Sequence, residues 1–176
     1  MRVHLVAAIL VGLVGSGIPL GLSEKVTLVF CVTLVFFAEI LNTALEQLVD
    51  LAIQQFDEKA RVVKDAASAG VLVLAIGTVM VFAAILVYNW PTVVSHAAQV
   101  QRQFLVGIPL ATCAGLLAME SWRRPVAMDV LLCAGAVALF ALTVPRSESY
   151  VFSTITFGLL VLAEETARTR RRHRAQ

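Results

Sequence analysis

Long apolar segments follow one another along almost the whole of this sequence. A helix that crosses a bilayer needs roughly 20 mostly apolar residues, so 176 residues leave room for about six such helices with short connections. The charged fraction is 15%, against about 25% in a typical soluble domain. These features predict an all-α, polytopic transmembrane helical bundle and exclude a disordered chain and a nucleic-acid-binding domain. The predicted spans are Leu5–Leu20, Val26–Val49, Ala66–Tyr88, Phe104–Met119, Val126–Val144 and Tyr150–Ala163.

Lysine and arginine residues are distributed unevenly between the connections. If the N-terminus is cytoplasmic and all six segments span, 11 of the 14 Lys and Arg lie inside, and only Lys25, Arg102 and Arg146 lie outside. Cytoplasmic loops carry an excess of Lys and Arg, so this distribution predicts that both termini are cytoplasmic. We interpret the basic tail at 168–176 as an anchor for the last helix, with attraction to anionic lipid headgroups as the alternative.

The second apolar segment carries polar residues in positions where a membrane helix normally has none. At about 100° per residue, Glu46 lies about 20° from Glu39, Asp50 lies about 20° on the other side, and Asn42 is about 60° away. The four side chains therefore form one stripe on one face of a helix. Ionisable groups inside a membrane are costly, face the interior of a bundle and indicate function.

The third apolar segment is preceded by Lys64 and Asp65. Because the second and third segments form a hairpin with a short loop, we expect these two residues to meet Glu46 and Asp50 near the inner interface. Carboxylates hold Mg²⁺ on nucleotide phosphates, and a lysine neutralises phosphate charge. The deeper Glu39 can accept a proton from a hydroxyl. This layout is compatible with phosphoryl transfer, while a structural polar seam between subunits and an ion path remain open alternatives.

Three motifs occur at fixed spacing in the first half of the sequence. They are Arg2-x-His4-Leu5, Glu-Ile-Leu-Asn-Thr-Ala-Leu-Glu at 39–46 followed by Val49-Asp50, and Lys64-Asp65 eighteen residues after Glu46. Together they resemble the prokaryotic integral-membrane diacylglycerol kinase and undecaprenol kinase family over about residues 2–90. The resemblance implies a three-span core in the bacterial inner membrane, assembled as a homotrimer with active sites between subunits. The implied reaction converts MgATP and a lipid alcohol, diacylglycerol or undecaprenol, to a lipid phosphate and ADP.

The resemblance also implies roles for individual residues. Glu39 corresponds to the catalytic base, and Glu46 corresponds to a metal-binding glutamate with Asn42 beside it in the site. Mg²⁺ and ATP are the implied cofactor and substrate. The residues on the nucleotide side are Lys64, which corresponds to the phosphate-contacting lysine, its neighbour Asp65, and Asp50, which matches an aspartate at the end of the second helix.

Both ends of the sequence depart from the family pattern. Met1 stands immediately before Arg2, where the family has an amphipathic surface helix and a glutamate that helps to hold the metal. We expect a true start upstream of Met1, the alternative being a weak or inactive version. About three further spans follow Pro91, and their Gly107, Gly115 and Gly135 suit close helix packing. The predicted domains are a diacylglycerol-kinase-like membrane domain at 1–90, accessory transmembrane helices at 91–167 and a basic cytoplasmic tail at 168–176.

Three hypotheses for the function follow from the sequence. The first is a membrane lipid kinase, whose activity requires Glu39 and Glu46. The second is a non-catalytic relative that acts as a membrane scaffold or regulatory protein. The third is a transporter that uses the intramembrane stripe, which leaves the spacing of Lys64 and Asp65 unexplained. No nucleic-acid partner is expected, and the accessory helices are in a position to obstruct a trimer.

Overall fold

The computed structural model describes residues 2–53, 57–119 and 125–175, and for Arg2, Arg146 and 166–175 it describes the backbone alone. The side chains of the predicted basic tail therefore lie outside the described residues. All regular elements of the described part are helical, which confirms the all-α prediction. A short 3-10 turn at Val144–Arg146 precedes the last helix. The helices are α1 (Arg2–Ser16), α2 (Leu22–Ala52), α3 (Glu58–Tyr88), α4 (Trp90–Ser95), α5 (Ala97–Leu117), α6 (Val126–Thr143) and α7 (Tyr150–Ala175).

Four of these helices, α2, α3, α5 and α6, are long and apolar enough to cross a membrane. They correspond to the second to fifth predicted spans, and they support a multi-pass membrane protein. Helix α1 is apolar over Val3–Ser16, which is shorter than the roughly 20 residues that a straight crossing needs. The sixth predicted segment is the first part of α7. Length and composition thus support four of the six spans within the described residues, and the first and sixth stay predictions.

Helix α3 begins eight residues before the predicted span because Asp57 caps it. The Asp57 carboxylate oxygen Oδ1 accepts hydrogen bonds from the backbone N–H groups of Lys59 at 2.7 Å and Ala60 at 3.3 Å. A side-chain acceptor at this position satisfies donors that the first helical turn leaves unpaired. Glu58 adds a negative charge in the first turn, where the helix dipole favours one. Lys64 consequently lies on a regular helix, with a fixed direction for its side chain.

The described chain divides into two compact units, and each is considered by itself. The hairpin unit is Val26–Tyr88, and the bundle unit is Arg2–Lys25 together with Asn89–Gln176. In the bundle unit α1 packs against α5 and α7, and α5 packs against α6 and α7. The hairpin unit ends close to the boundary predicted at residue 90. Helix α1, which the prediction groups with the hairpin, belongs to the bundle unit.

Glycine residues explain why α1 and α5 approach each other closely. A Cβ atom built at Gly107 would overlap the end of the Leu13 side chain, and one at Gly115 would lie 3.0 Å from Val6 Cγ2. The small-residue packing expected at these two positions is therefore found. Gly135 has no such neighbour within 4 Å, so the expectation of close packing there is wrong.

Candidate functional site

The predicted polar stripe lies on one face of α2, which continues without interruption from Leu22 to Ala52. Glu39, Asn42 and Glu46 are half-buried, and Asp50 near the end of the helix is exposed. Seven residues of helix separate the two glutamates, which corresponds to a rise of about 10 Å. The backbone carbonyl of Glu39 accepts a hydrogen bond from Thr43 Oγ1 at 3.0 Å. The two carboxylates are therefore held at different depths on one rigid element.

Asn42 links the stripe to α3. Its Nδ2 donates a hydrogen bond to Glu46 Oε1 at 2.9 Å, one helical turn further on. Its Oδ1 accepts a hydrogen bond from Ser68 Oγ on α3 at 3.3 Å. A carboxylate only accepts hydrogen bonds, so the amide nitrogen of Asn42 must point to Glu46 and the amide oxygen is left for Ser68. Glu46 is thus oriented by a chain of two hydrogen bonds that crosses the hairpin.

A second link joins the two helices nearer the loop. The ammonium group of Lys64 forms an ion pair with Oδ1 of Asp50. The Lys64 side chain is 34% exposed and the Asp50 side chain 66%, so water reaches both groups. The ion pair directs the ammonium group of Lys64 from α3 towards α2, next to the Asp50 carboxylate.

Asp65 points to a different partner. Its Oδ2 lies 4.0 Å from NH1 of Arg61, and the guanidinium of Arg61 also pairs with the Glu58 carboxylate. The Asp65 side chain is 70% exposed. Asp65 and Lys64 are consecutive residues on a helix, so their side chains leave the helix about 100° apart. The structure therefore brings Asn42 together with Glu46 and Asp50 together with Lys64, and it places Asp65 outside both pairs.

The oxygen donors on α2 suit a divalent cation that is shared with a nucleotide. Among the described residues, no group of three or more His, Cys, Asp or Glu side chains is placed to hold a metal ion by itself. Mg²⁺ usually keeps several waters and is held by one or two carboxylates together with substrate phosphates. Glu46 supplies one carboxylate, and the Asn42 amide nitrogen holds its Oε1 by a hydrogen bond. The residues present therefore fit Mg²⁺ held jointly with phosphate groups.

Ser68 is the participant that the sequence analysis missed. The available signal was its spacing, since Ser68 follows Lys64 by four residues and therefore lies on the same face of α3. Using that signal requires the register of α2 against α3, which the pair between Asp50 and Lys64 shows in the structure.

Comparison of the sequence with known proteins gives a match that includes the residues of this site. No curated protein and no solved structure matches the chain. Residues 1–86 match the model of a family described as prokaryotic diacylglycerol kinase, which agrees with the resemblance over about residues 2–90. Every residue of the predicted site, from Glu39 to Asp65, lies within the matched part. This match covers 86 of the 176 residues and supports assigning residues 1–86 to the prokaryotic diacylglycerol kinase family, a family of membrane lipid kinases.

Proposed function

We propose that the protein is an ATP-dependent membrane lipid kinase that transfers the γ-phosphoryl group of MgATP to the hydroxyl of a lipid alcohol. The observation that carries the proposal is the arrangement on the hairpin. The Glu46 carboxylate is oriented by Asn42 next to α3, and Glu39 lies two helical turns deeper on the same stripe. Lys64 is presented towards α2 from the opposite helix. These are the groups that phosphoryl transfer needs, because it depends mainly on positioning and on stabilising charge.

Each group has a defined task in the proposed reaction. Lys64 leaves Asp50 and neutralises charge on the nucleotide phosphates, while Glu46, oriented by Asn42, is the residue that would hold Mg²⁺. When bound, the cation neutralises negative charge that develops on the phosphate oxygens. The lipid hydroxyl oxygen forms a bond to the γ-phosphorus, the bond from that phosphorus to the β,γ-bridging oxygen breaks, and ADP leaves. The carboxylate of Glu39 accepts the proton of the lipid hydroxyl.

The exposure of the hairpin supports a proposal about assembly. The only residue of α3 that the chain itself buries is Val71, and apolar side chains of α2 such as Ile40 and Leu48 are 61% and 62% exposed. We infer that copies of the chain pack against this hairpin as a homo-oligomer, a trimer by family resemblance. We propose that the protein lies in the bacterial inner membrane with both termini cytoplasmic, because most of its Lys and Arg residues are then on the cytoplasmic side. In this orientation the loop between α2 and α3 faces ATP.

The proposal is tested with the full-length protein in mixed detergent micelles. Labelled ATP, Mg²⁺ and either diacylglycerol or undecaprenol are supplied, and labelled lipid phosphate is measured. We expect transfer by the wild type and strongly reduced transfer by Glu46→Gln. Glu148→Gln is the matched control, because Glu148 lies in the bundle unit, where Oε1 accepts a hydrogen bond from Gln99 Nε2 that an amide oxygen preserves. Absence of transfer to both lipids by the wild type contradicts the kinase proposal and favours the scaffold hypothesis.

The lipid substrate is determined by competition. Both alcohols present a hydroxyl at the membrane interface, and they differ in the hydrocarbon that follows it. We propose undecaprenol as the preferred acceptor, on the resemblance of Arg2-x-His4-Leu5 to the undecaprenol-kinase branch. Equal amounts of the two lipids are offered to the wild type, and the ratio of the two products gives the ratio of their kcat/KM values. Preferential phosphorylation of diacylglycerol contradicts this assignment and leaves the kinase proposal intact.

A further inference from the structure

Ser68 uses its hydroxyl differently from Thr78, the other aliphatic hydroxyl residue of α3. Thr78 donates a hydrogen bond to the carbonyl of Leu74 in its own helix at 2.8 Å, which is the usual bond of a hydroxyl residue inside a helix. Ser68 has one hydroxyl proton, and it donates this proton across the hairpin to Asn42 Oδ1. The bond connects two helices and has no local counterpart.

The side chain of Asn42, which accepts this hydrogen bond, also donates one. Asn42 is half-buried between α2 and α3, and its amide nitrogen donates to Glu46 Oε1 at 2.9 Å. Ser68 therefore fixes the position of the amide, and the amide fixes one oxygen of the Glu46 carboxylate. Oε2 of Glu46 then points in a defined direction in which a cation can bind. Hydrogen-bond partners of this kind orient metal ligands in proteins, and their removal lowers the affinity for the metal.

Ser68 also fixes the distance between two parts of the site. Lys64 and Ser68 lie on one face of α3, and four residues of helix separate them by about 6 Å. Lys64 is the cation for phosphate, and Glu46 on the other helix is the ligand for Mg²⁺. The two hydrogen bonds from Ser68 to Asn42 and from Asn42 to Glu46 therefore help to set the distance between Glu46 and Lys64. A nucleotide that carries Mg²⁺ on its phosphates has to touch both at once.

We propose that Ser68 is a positioning residue that orients Glu46 through Asn42 and so determines how tightly the site holds a divalent cation with the nucleotide. The inference rests on the proposed function in one respect, the role of Glu46 as the metal ligand. Loss of an outer partner of a metal ligand typically weakens the metal about 10- to 100-fold. Ser68 acts through one further side chain, so we expect the lower end of this range, about tenfold.

The test measures cation binding separately from activity. The full chain in detergent is titrated with Mn²⁺ in the presence of a non-hydrolysable ATP analogue, and free Mn²⁺ is followed by electron paramagnetic resonance. Ser68→Ala is expected to raise the Kd for Mn²⁺ about tenfold, whereas Ser68→Thr keeps the hydroxyl and stays near the wild type. Thr78→Val is the matched control, because it removes a hydroxyl from α3 that takes no part in the hydrogen bonds of Asn42. In steady-state assays Ser68→Ala is expected to raise the KM for Mg²⁺ and to leave kcat at saturating Mg²⁺ nearly unchanged.

The outcomes separate this inference from the proposed function. Wild-type affinity for Mn²⁺ in Ser68→Ala overturns the positioning role, and so does an equal loss in Thr78→Val, which would indicate a general effect on the helix. A wild type that binds Mn²⁺ with the nucleotide but phosphorylates neither lipid contradicts the kinase proposal while the affinities of the variants still test Ser68. A wild type that binds no Mn²⁺ with the nucleotide overturns the inference about Ser68.

Discussion

The hairpin unit and the bundle unit use helices of similar composition in different ways. In the bundle unit α5 buries six of its residues, and α1 meets it at glycine positions without space for a larger side chain. In the hairpin unit α3 buries Val71 alone, although it is ten residues longer than α5. The two helices of the hairpin are joined by polar contacts, from Lys64 to Asp50 and from Ser68 to Asn42.

The contacts that stabilise the fold and the residues of the proposed site therefore lie in different units. Apolar contacts between closely packed helices hold the bundle unit together, and they include no residue of the proposed site. The hairpin unit carries all of the proposed site residues, and its polar side chains are stabilised largely by one another. Ionisable groups are costly in a membrane unless they are paired or used. The comparison predicts that substitutions in the hairpin reduce activity before stability, and that substitutions in the bundle do the reverse.

The largest effect is expected for Glu39→Gln. Removing a general base typically lowers the rate about 10²- to 10⁴-fold, and the isosteric amide preserves the helix and its packing. We therefore expect a loss of kcat in this range, measured as labelled lipid phosphate, with an unchanged melting temperature. Glu148→Gln in the bundle unit should retain full activity. A large loss of stability in Glu39→Gln would show that the carboxylate has a structural role. It would contradict the prediction that substitutions in the hairpin unit reduce activity before stability.

Lys64→Met is expected to have the next largest effect. Hydrogen bonds to charged groups contribute about 1.5–3 kcal/mol, so losing the contact with phosphate should lower kcat/KM for ATP about 10- to 150-fold. The measurement is initial rate against ATP concentration at saturating lipid. The matched control is Lys59→Met, since Lys59 lies on the exposed first turn of α3 outside the stripe. An equal decrease in both variants would assign the effect to the overall charge of the loop.

Packing in the bundle unit is tested by Gly15→Ala. A Cβ atom there would lie 2.6 Å from Cζ of Phe152, whose side chain is 1% exposed. Overpacking of this kind costs about 1–3 kcal/mol, so the melting temperature in detergent should decrease. Gly135→Ala has no neighbour within 4 Å and should increase stability by about 0.5–1 kcal/mol, because alanine favours the helix. Activity per folded molecule should stay at the wild-type level in both, and a selective loss in Gly15→Ala would indicate that α1 contributes to the site.

The sequence predicts features that depend on one helix and not those that depend on two. The stripe of Glu39, Asn42 and Glu46 follows from helical periodicity alone, and the structure preserves it. The role of Ser68 depends on the register between α2 and α3, which no local pattern encodes. The same holds for α1, whose partner Phe152 lies far along the chain. The start of α3 ahead of the predicted span is a local feature, since Asp57 is a residue type that is favoured at the start of a helix.

The smallest effect, and the one that decides between two roles, is expected for Asp50→Asn. The ion pair of Asp50 with Lys64 is solvent-exposed, and such pairs contribute about 0.2–1 kcal/mol. If Asp50 only holds Lys64 while the nucleotide is absent, removing its charge frees the lysine for phosphate and lowers the KM for ATP by up to about fivefold.

If instead Asp50 contacts the nucleotide or its cation directly, as the sequence analysis expected, the same substitution raises the KM. The matched control is Asp57→Asn, because asparagine preserves the cap of α3. High salt screens exposed charges, so a decrease in KM that arises from the ion pair should shrink as the ionic strength rises. An increase in KM that persists in high salt would place Asp50 in contact with the nucleotide or its cation.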